Sequence, residues 1–390
     1  MREPALIPSL RPFSSTVFAE MTALATRTSA VNLGQGFPDT DGPPSMLEAA
    51  CQAITSGNNQ YPPGPGRAEL RSAVAEHRGR FGLDYDPDTE VLVTTGATEA
   101  IAASLLALVE PGDEVLLIEP YYDSYAAAVA MAGATRRVVP LRQEASTGRF
   151  TLDPGELRAA VTDRTRAIVV NSPHNPTGTV LCRTELAGIA ELCVEHDLIA
   201  ITDEVYEHLV YDDAEHIPLA TFTGMAERTV TISSAGKIFN CTGWKIGWVC
   251  ATRDLVAAVR AAKQFLTFVS GGPFQPAVAH ALRTERGWVE QLRRELNGKR
   301  DRLARGLAEA GFRVLPSAGT YFVCADVRAI GYAHATELAW ALPEQVGVAA
   351  VPVSVFTDSE QDYAHLLRFA FCKRDEVLDT AIERLHRLAR

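Results

Sequence analysis

Only five of the 37 basic residues are lysines: Lys237, Lys245, Lys263, Lys299 and Lys373. A chain that relies on arginine for generic positive charge can keep lysine for places where an amine is needed, although such scarcity also arises by chance. Lys237 stands in Ser233-Ser234-Ala235-Gly236-Lys237-Ile238-Phe239-Asn240, just past an apolar run that reads as a strand. Among small and apolar neighbours an amine is partly desolvated. That disfavours the ammonium and makes the neutral nucleophile available for Schiff-base chemistry. A lone loop lysine is ordinarily a solvated one, so the reading of Lys237 turns on what the fold brings beside it.

Four other segments offer matching chemistry. Ile199–Tyr206 ends an apolar run with Asp203-Glu204. Ligands of open α/β sheets lie beyond the carboxyl ends of strands, and a carboxylate there can keep a pyridine nitrogen protonated. The same pair would also serve as a helix cap. Ala167–Gly178 ends in Asn-Ser-Pro-His-Asn-Pro-Thr-Gly, where Asn175 is held extended by the proline after it. Its side chain can donate to a phenolate oxygen, or simply close an Asx turn. Val93–Ala100 reads as a strand, a turn at Gly96 and a helix start. Backbone N–H groups of Ala97 and Thr98 would suit a phosphate there, with the Ser234 hydroxyl and the Lys245 charge as additions. Arg368, inside Leu366–Phe371, is an arginine among apolar residues. Such a charge is costly unless an anion pairs with it, or unless the strand lies at an edge with one face free.

Positioning these residues requires a layered fold. Strand-like runs at Val91–Thr95, Glu114–Ile118, Arg137–Val139, Ala167–Asn171, Leu198–Thr202, Thr229–Ser233 and Gly247–Cys250 alternate with helical patterns at Glu99–Leu108, Ser124–Ala132, Pro154–Ala160 and Thr184–His196. Most of the strands are nearly continuous apolar runs, as in a mainly parallel sheet buried on both faces. The pattern predicts a doubly wound α/β domain with a seven-stranded sheet flanked by helices. Beyond about residue 280 a charged amphipathic helix over Trp288–Ala310 precedes strands near Tyr321–Cys324, Val348–Val351 and Leu366–Phe371 and a helix over Glu376–Leu388. This predicts a smaller α+β domain. The expected division is an arm over 1–44 contributing to the small domain, a large domain over 45–280 and the small domain over 281–390. The Gly- and Pro-rich stretch Gly34–Gly66 reads as a connecting arm.

At 390 residues the chain exceeds one compact core. A net charge of −11 argues against general nucleic-acid binding. Apolar stretches are broken well before about 18 residues, so no membrane span is expected, and Met1–Thr16 lacks the apolar core of a secretory signal. The seven cysteines are scattered and form no CxxC pair. They read as buried thiols in a reducing cytoplasm, with neither a disulfide frame nor a metal site. No GxGxxG, GxxxxGK[ST] or HExxH pattern occurs, which argues against nicotinamide, nucleotide and zinc-protease chemistry.

Taken in order, GATEA, EPYYDSY, NSPHNPTG, ITDEVYE, SSAGKIFNCTGWKIGW and RFAFCK resemble the class I/II aminotransferases of pyridoxal phosphate (PLP) fold type I. The likeness runs along nearly the whole chain. It is nearest to the branch of kynurenine, glutamine and methionine aminotransferases and actinobacterial N-succinyldiaminopimelate aminotransferases; NLGQGFPD and QYPPGPG point to the last of these. The resemblance implies PLP bound to Lys237, which then shuttles a proton. It implies Asp203 at the pyridinium nitrogen, Tyr206 and Asn175 at the phenolic oxygen, and Tyr122 stacked on the ring. Gly96, Ala97, Thr98, Ser234 and Lys245 would hold the phosphate, with Tyr61 reaching it from the other subunit of a homodimer. Arg368 would clamp the substrate α-carboxylate, with Gly36 and Asn175 lining the same end. Lys245 stands where many members of the wider class carry arginine, and Tyr122 where phenylalanine is usual.

The expected activity is ping-pong transfer of an amino group from an amino acid to a 2-oxo acid. A PLP-dependent β-lyase of the cysteine-S-conjugate type is the alternative, since racemisation, decarboxylation and β-elimination all draw on the same cofactor. A regulator built on this fold would need an added DNA-binding domain, for which length and charge leave no room. A scaffold without cofactor would have to retain the whole site unused.

Overall fold

The computed structural model describes residues 5–14 and 16–388. A helix over Val17–Thr28 leads into a short strand, β1 (Val31–Asn32), and the central sheet follows. Its strands are β2 (Val91–Thr94), β3 (Glu114–Glu119), β4 (Thr135–Gln143), β5 (Phe150–Leu152), β6 (Thr165–Asn171), β7 (Ile199–Asp203), β8 (Thr229–Ser234) and β9 (Gly247–Cys250). They are hydrogen-bonded in the order β2-β9-β8-β7-β6-β3-β4-β5. The pairs β3–β4, β3–β6, β6–β7 and β7–β8 are parallel, whereas β9 runs against both β8 and β2. Every residue of β2, β3, β7, β8 and β9 is buried, which is why these strands read as unbroken apolar runs.

The sheet has eight strands, not the seven expected. The addition is β5, antiparallel to the end of β4; three residues are too few for alternation to show. β4 spans nine residues where three were expected, because arginines on its partly exposed edge interrupt the apolar pattern. The direction of the strands has one consequence for function. The carboxyl ends of β2, β3, β6, β7 and β8 share one edge of the sheet with the amino end of β9.

The Gly34–Gly66 stretch is not a plain connector. It contains a helix over Pro44–Thr55, started by Pro44 in its first turn and burying Met46, Ala50 and Ala53. Met46 and Ala50 share a core with Ala277, Val278 and Ala281 of the helix Phe274–Thr284. Cys51 on that helix and Cys182 are exposed, correcting the expectation that all seven thiols are buried; the other five are.

A second sheet follows the 24-residue helix Arg286–Glu309. Its strands are β10 (Arg313–Val314), β11 (Phe322–Asp326), β13 (Val351–Pro352) and β14 (Leu366–Ala370), in the order β10-β11-β14-β13, all antiparallel. The run Val348–Val351, expected as one strand, divides. Val348–Ala349 forms β12, which pairs in parallel with β1, while Val351 turns to β14. The N-terminal segment is thereby tied to the C-terminal part of the chain. Arg368 lies on β14 opposite both Cys324 and Val351. It occupies an interior strand, so the free-edge reading does not hold. Among the described residues no helix is long and apolar enough to cross a membrane.

Candidate active site

A cavity of about 450 Å3 opens over the shared edge of the central sheet and reaches Arg368 on β14. Lys237 projects into it from the short helix Ala235–Ile238 that follows β8. Burial is the main influence on this amine and brings it down to about 8, with the Asp203 carboxylate pulling the other way. Near neutral pH the neutral nucleophile is therefore the minor form, but a far larger fraction than for a solvated lysine. Its Nζ donates to the Tyr321 hydroxyl at 2.7 Å and to the Gly36 carbonyl oxygen at 3.3 Å.

Asp203 ends β7 with its carboxylate at the floor of the cavity. Burial pushes this carboxyl up, and hydrogen bonds to its ionised form pull it back. The Tyr125 hydroxyl donates to Oδ2 at 2.6 Å, and the Val205 N–H to Oδ1 at 3.3 Å. Asn171, at the end of β6, donates through Nδ2 to the Asp203 carbonyl at 2.8 Å and accepts the Asn175 N–H at 2.8 Å. Adjacent strand ends are thus laced together beneath the cavity.

Two further carboxylates of the Asp203 segment lie outside the cavity. Glu204 and Glu207 are buried against Arg78, which donates to them at 2.8 and 2.7 Å. Burial pushes Glu207 up, but Arg80, Arg78 and His77 hold it well below the usual carboxylate range. His77, His208 and His216 also approach these carboxylates. The guanidinium of Arg80 lies 3.0 Å from Glu207 and 2.9 Å from His208 Nδ1, so Glu207 is paired with two arginines.

At one end of the cavity lies the amino terminus of the helix Gly96–Leu108, with Ala97 and Thr98 in its first turn and Ser234 and Lys245 beside them. Gly96 has φ +74°, and a Cβ there would press on the Lys245 side chain at 3.3 Å. Free N–H groups and an ammonium suit an anion. At the other end Arg368 is 1% exposed. It donates to Asn175 Oδ1 at 2.7 Å and to the Gly34 carbonyl at 2.8 Å, and its Nε has no partner among the described residues. The guanidinium lies 4.0 Å from the Phe322 ring and 4.9 Å from that of Phe356. Burial lowers its pKa, but a guanidinium stays charged. Two ends suited to anions therefore flank one buried amine.

The family model for aminotransferase class I and II matches residues 28–385. The chain belongs to this family. It is 64% identical over 393 residues to the probable N-succinyldiaminopimelate aminotransferase of Mycobacterium tuberculosis, covering 98% of each chain. The solved N-succinyldiaminopimelate aminotransferase from that organism superposes with a TM-score of 0.97 at 65% identity, over 98% of this chain and 100% of the other. The methionine aminotransferase of Escherichia coli is 38% identical over 392 residues, covering 100% of both. The chain is accordingly a PLP-dependent aminotransferase with the type I fold.

In this aminotransferase Gly36, Gly96, Ala97, Thr98, Tyr122, Asn175, Asp203, Tyr206, Ser234, Lys237, Lys245 and Arg368 all line the one cavity. Tyr61 does not. It is 81% exposed, with its ring edge-on to Phe268 at 5.6 Å. Three polar contributors went unnoticed in the sequence: Tyr125, Asn171 and Tyr321. Tyr125 lies in the first turn of the helix that Tyr122 precedes, with the two rings edge-on at 5.8 Å, and the Tyr-x-x-Tyr spacing was the available signal. Asn171 ends a strand as Asp203 does. Tyr321 carried no signal, being one aromatic among the apolar residues before β11.

Proposed function

We propose that the enzyme holds PLP covalently on Lys237 and takes N-succinyldiaminopimelate as amino donor, with a 2-oxo acid as acceptor. The observation that carries the site assignment is the placement of a desolvated amine between a helix amino terminus and a buried arginine. The donor set fits the cofactor. Ala97, Thr98, Ser234 and Lys245 would bind its phosphate and Asp203 its ring nitrogen. Tyr206, whose hydroxyl burial keeps protonated, would donate to the phenolic oxygen. Asn175 has its Oδ1 engaged by Arg368, which leaves its NH2 group for that same oxygen. Tyr122 would cover the ring face. When bound, the cofactor supplies an electron sink that lowers the cost of removing the α-proton.

The remaining work falls to side chains. Arg368 and Asn175 orient the substrate carboxylate, with Gly36 closing that end, and Lys237 moves the proton. We place the enzyme in the cytoplasm as a homodimer, with Tyr61 serving the neighbouring subunit. The exposed apolar side chains Tyr61, Phe265, Leu266 and Phe268, with the Tyr61 and Phe268 rings 5.6 Å apart, support the dimer, and seven unpaired cysteines support the compartment.

The donor is favoured by the 64% identity to a relative named for it. Purified enzyme assayed with 2-oxoglutarate against N-succinyldiaminopimelate, methionine, kynurenine and glutamine tests it. The succinylated donor should lead in kcat/KM by at least about tenfold, roughly 1.4 kcal/mol of transition-state binding. A lead by methionine or kynurenine would overturn the choice. A cysteine S-conjugate assayed in parallel tests the alternative: pyruvate released from it without an oxo-acid requirement would favour β-elimination.

A further inference from the structure

Both hydrogen-bond neighbours of the Lys237 amine act toward it as acceptors. Nζ meets the Tyr321 hydroxyl at 2.7 Å and the Gly36 carbonyl at 3.3 Å, and Tyr321 itself donates to that Gly36 oxygen at 2.5 Å. With its one proton committed to Gly36, Tyr321 can face Nζ only with a lone pair. A neutral amine has two N–H bonds and one lone pair. Tyr321 and Gly36 take the two N–H bonds, and the lone pair is left to the cavity that Lys237 lines.

We infer that Tyr321 is a positioning residue that holds the Lys237 amine, whenever it is free of the cofactor, with its lone pair turned toward the substrate α-carbon. This rests on the assignment of Lys237 above. Tyr321 is built to stay put. It is 1% exposed, and its ring is held edge-on by Tyr206 at 5.2 Å and Phe322 at 4.9 Å. Burial keeps its hydroxyl protonated, so it neither competes for the α-proton nor carries a charge. The adjoining residue, Phe322, covers the Arg368 guanidinium at 4.0 Å. Consecutive residues entering β11 therefore fix the base and support the carboxylate clamp.

In the step concerned, the α C–H bond breaks and an N–H bond forms at Nζ. The electron pair stays in the substrate–cofactor system, and Nζ later returns the proton. The ammonium formed has three N–H groups, two already paired with Tyr321 and Gly36, so the third is the one to be given back. Tyr321→Phe removes one acceptor and lets the amine rotate. Misdirecting a base in this way costs roughly tenfold to a hundredfold in rate.

The test is a single-turnover half-reaction of the holoenzyme with the best donor of the panel, carrying hydrogen or deuterium at the α-carbon. For Tyr321→Phe we expect a rate at least about tenfold lower, a larger deuterium isotope effect and a KM within about twofold of wild type. A second measurement uses no turnover: the pH dependence with which cofactor-free protein captures PLP. Losing an acceptor weakens the ammonium more than the amine, so this profile should move to lower pH. An unchanged rate and isotope effect would overturn the inference. So would a slower rate with an unchanged isotope effect and a lowered melting temperature, which would make Tyr321 merely structural. Lys237→Ala is run alongside; half-reaction turnover in that variant would sink the site assignment itself, whatever Tyr321 does.

Discussion

The Tyr125 hydroxyl donates a 2.6 Å hydrogen bond to Oδ2 of the buried Asp203. Burial pushes Asp203 up, and this bond is the largest influence holding it down. Tyr125→Phe should let the carboxyl rise further, so that it ionises less readily against a ring nitrogen. Affinity for PLP should fall about tenfold, the worth of one charge-assisted hydrogen bond near 1.5 kcal/mol. The loss should grow as pH falls. Equilibrium titration of cofactor-free protein at pH 6 and pH 8 measures both effects.

Arg368 holds Asn175 with one nitrogen and Gly34 with another, and among the described residues its Nε is unpartnered. A substrate carboxylate is the natural further partner for so buried a cation. Arg368→Lys keeps the charge but loses the two-pronged geometry. Catalytic efficiency toward amino acids should drop on the order of a hundredfold, about 3 kcal/mol. Amines lacking the α-carboxylate should react with both forms at similar rates. Equal loss for amines and amino acids would remove Arg368 from carboxylate binding.

Gly247, the first residue of β9, packs against the turn that starts the helix Gly96–Leu108. A Cβ there would lie 2.6 Å from the Gly96 carbonyl carbon and 2.9 Å from the Ala97 nitrogen. Neither backbone atom can step aside without shifting the helix terminus. Gly247→Ala should cost about 2 kcal/mol or more in stability and weaken inorganic phosphate as a competitor of PLP binding. Gly243→Ala, where a Cβ meets nothing within 4 Å, is the control and should change neither. Thermal melts and phosphate competition separate the two.

Tyr61 is too exposed to belong to the cavity of its own chain. If it serves the neighbouring subunit, Tyr61→Ala and Lys237→Ala each disable both sites of a homodimer. Mixed dimers would keep one intact site. Refolding the two variants together at equal concentration should then restore about a quarter of wild-type activity, assuming random pairing. Activity no higher than that of the Tyr61→Ala protein alone would place Tyr61 outside the partner's site.

The residues legible from sequence were those that follow unbroken apolar strands. Asp203 ends β7, Asn175 and Lys237 follow β6 and β8 within four residues, and a parallel sheet carries such residues to one edge without further information. Tyr321 was illegible because its significance lies in a contact across 84 positions of chain with Lys237. Composition alone makes it another core aromatic. Arg368 was ambiguous for a related reason. Whether its strand is interior or at an edge depends on β13 joining β14, and β13 is two residues long. The helix Pro44–Thr55 was hidden by the glycines and prolines around it, although Met46, Ala50 and Ala53 carry its buried face.

Lys237 should make the protein's stability depend on alkaline pH in an unusual direction. Its amine titrates at about 8 in the fold, chiefly through burial, against 10.5 as its ordinary value. Below pH 8 both states bind the proton, and the folded protein bears the full cost of burying an ammonium. Between about pH 8 and 10.5 the unfolded chain binds a proton that the folded one does not, so stability rises with pH in this window. Lys237→Met removes the contribution. The cofactor-free variant should gain on wild type by on the order of 3 kcal/mol at pH 7, and the gain should shrink toward pH 10. Urea unfolding of both proteins at the two pH values measures it. A gain independent of pH would mean that the amine is solvated in the fold, and the case for a ready nucleophile at position 237 would fail with it.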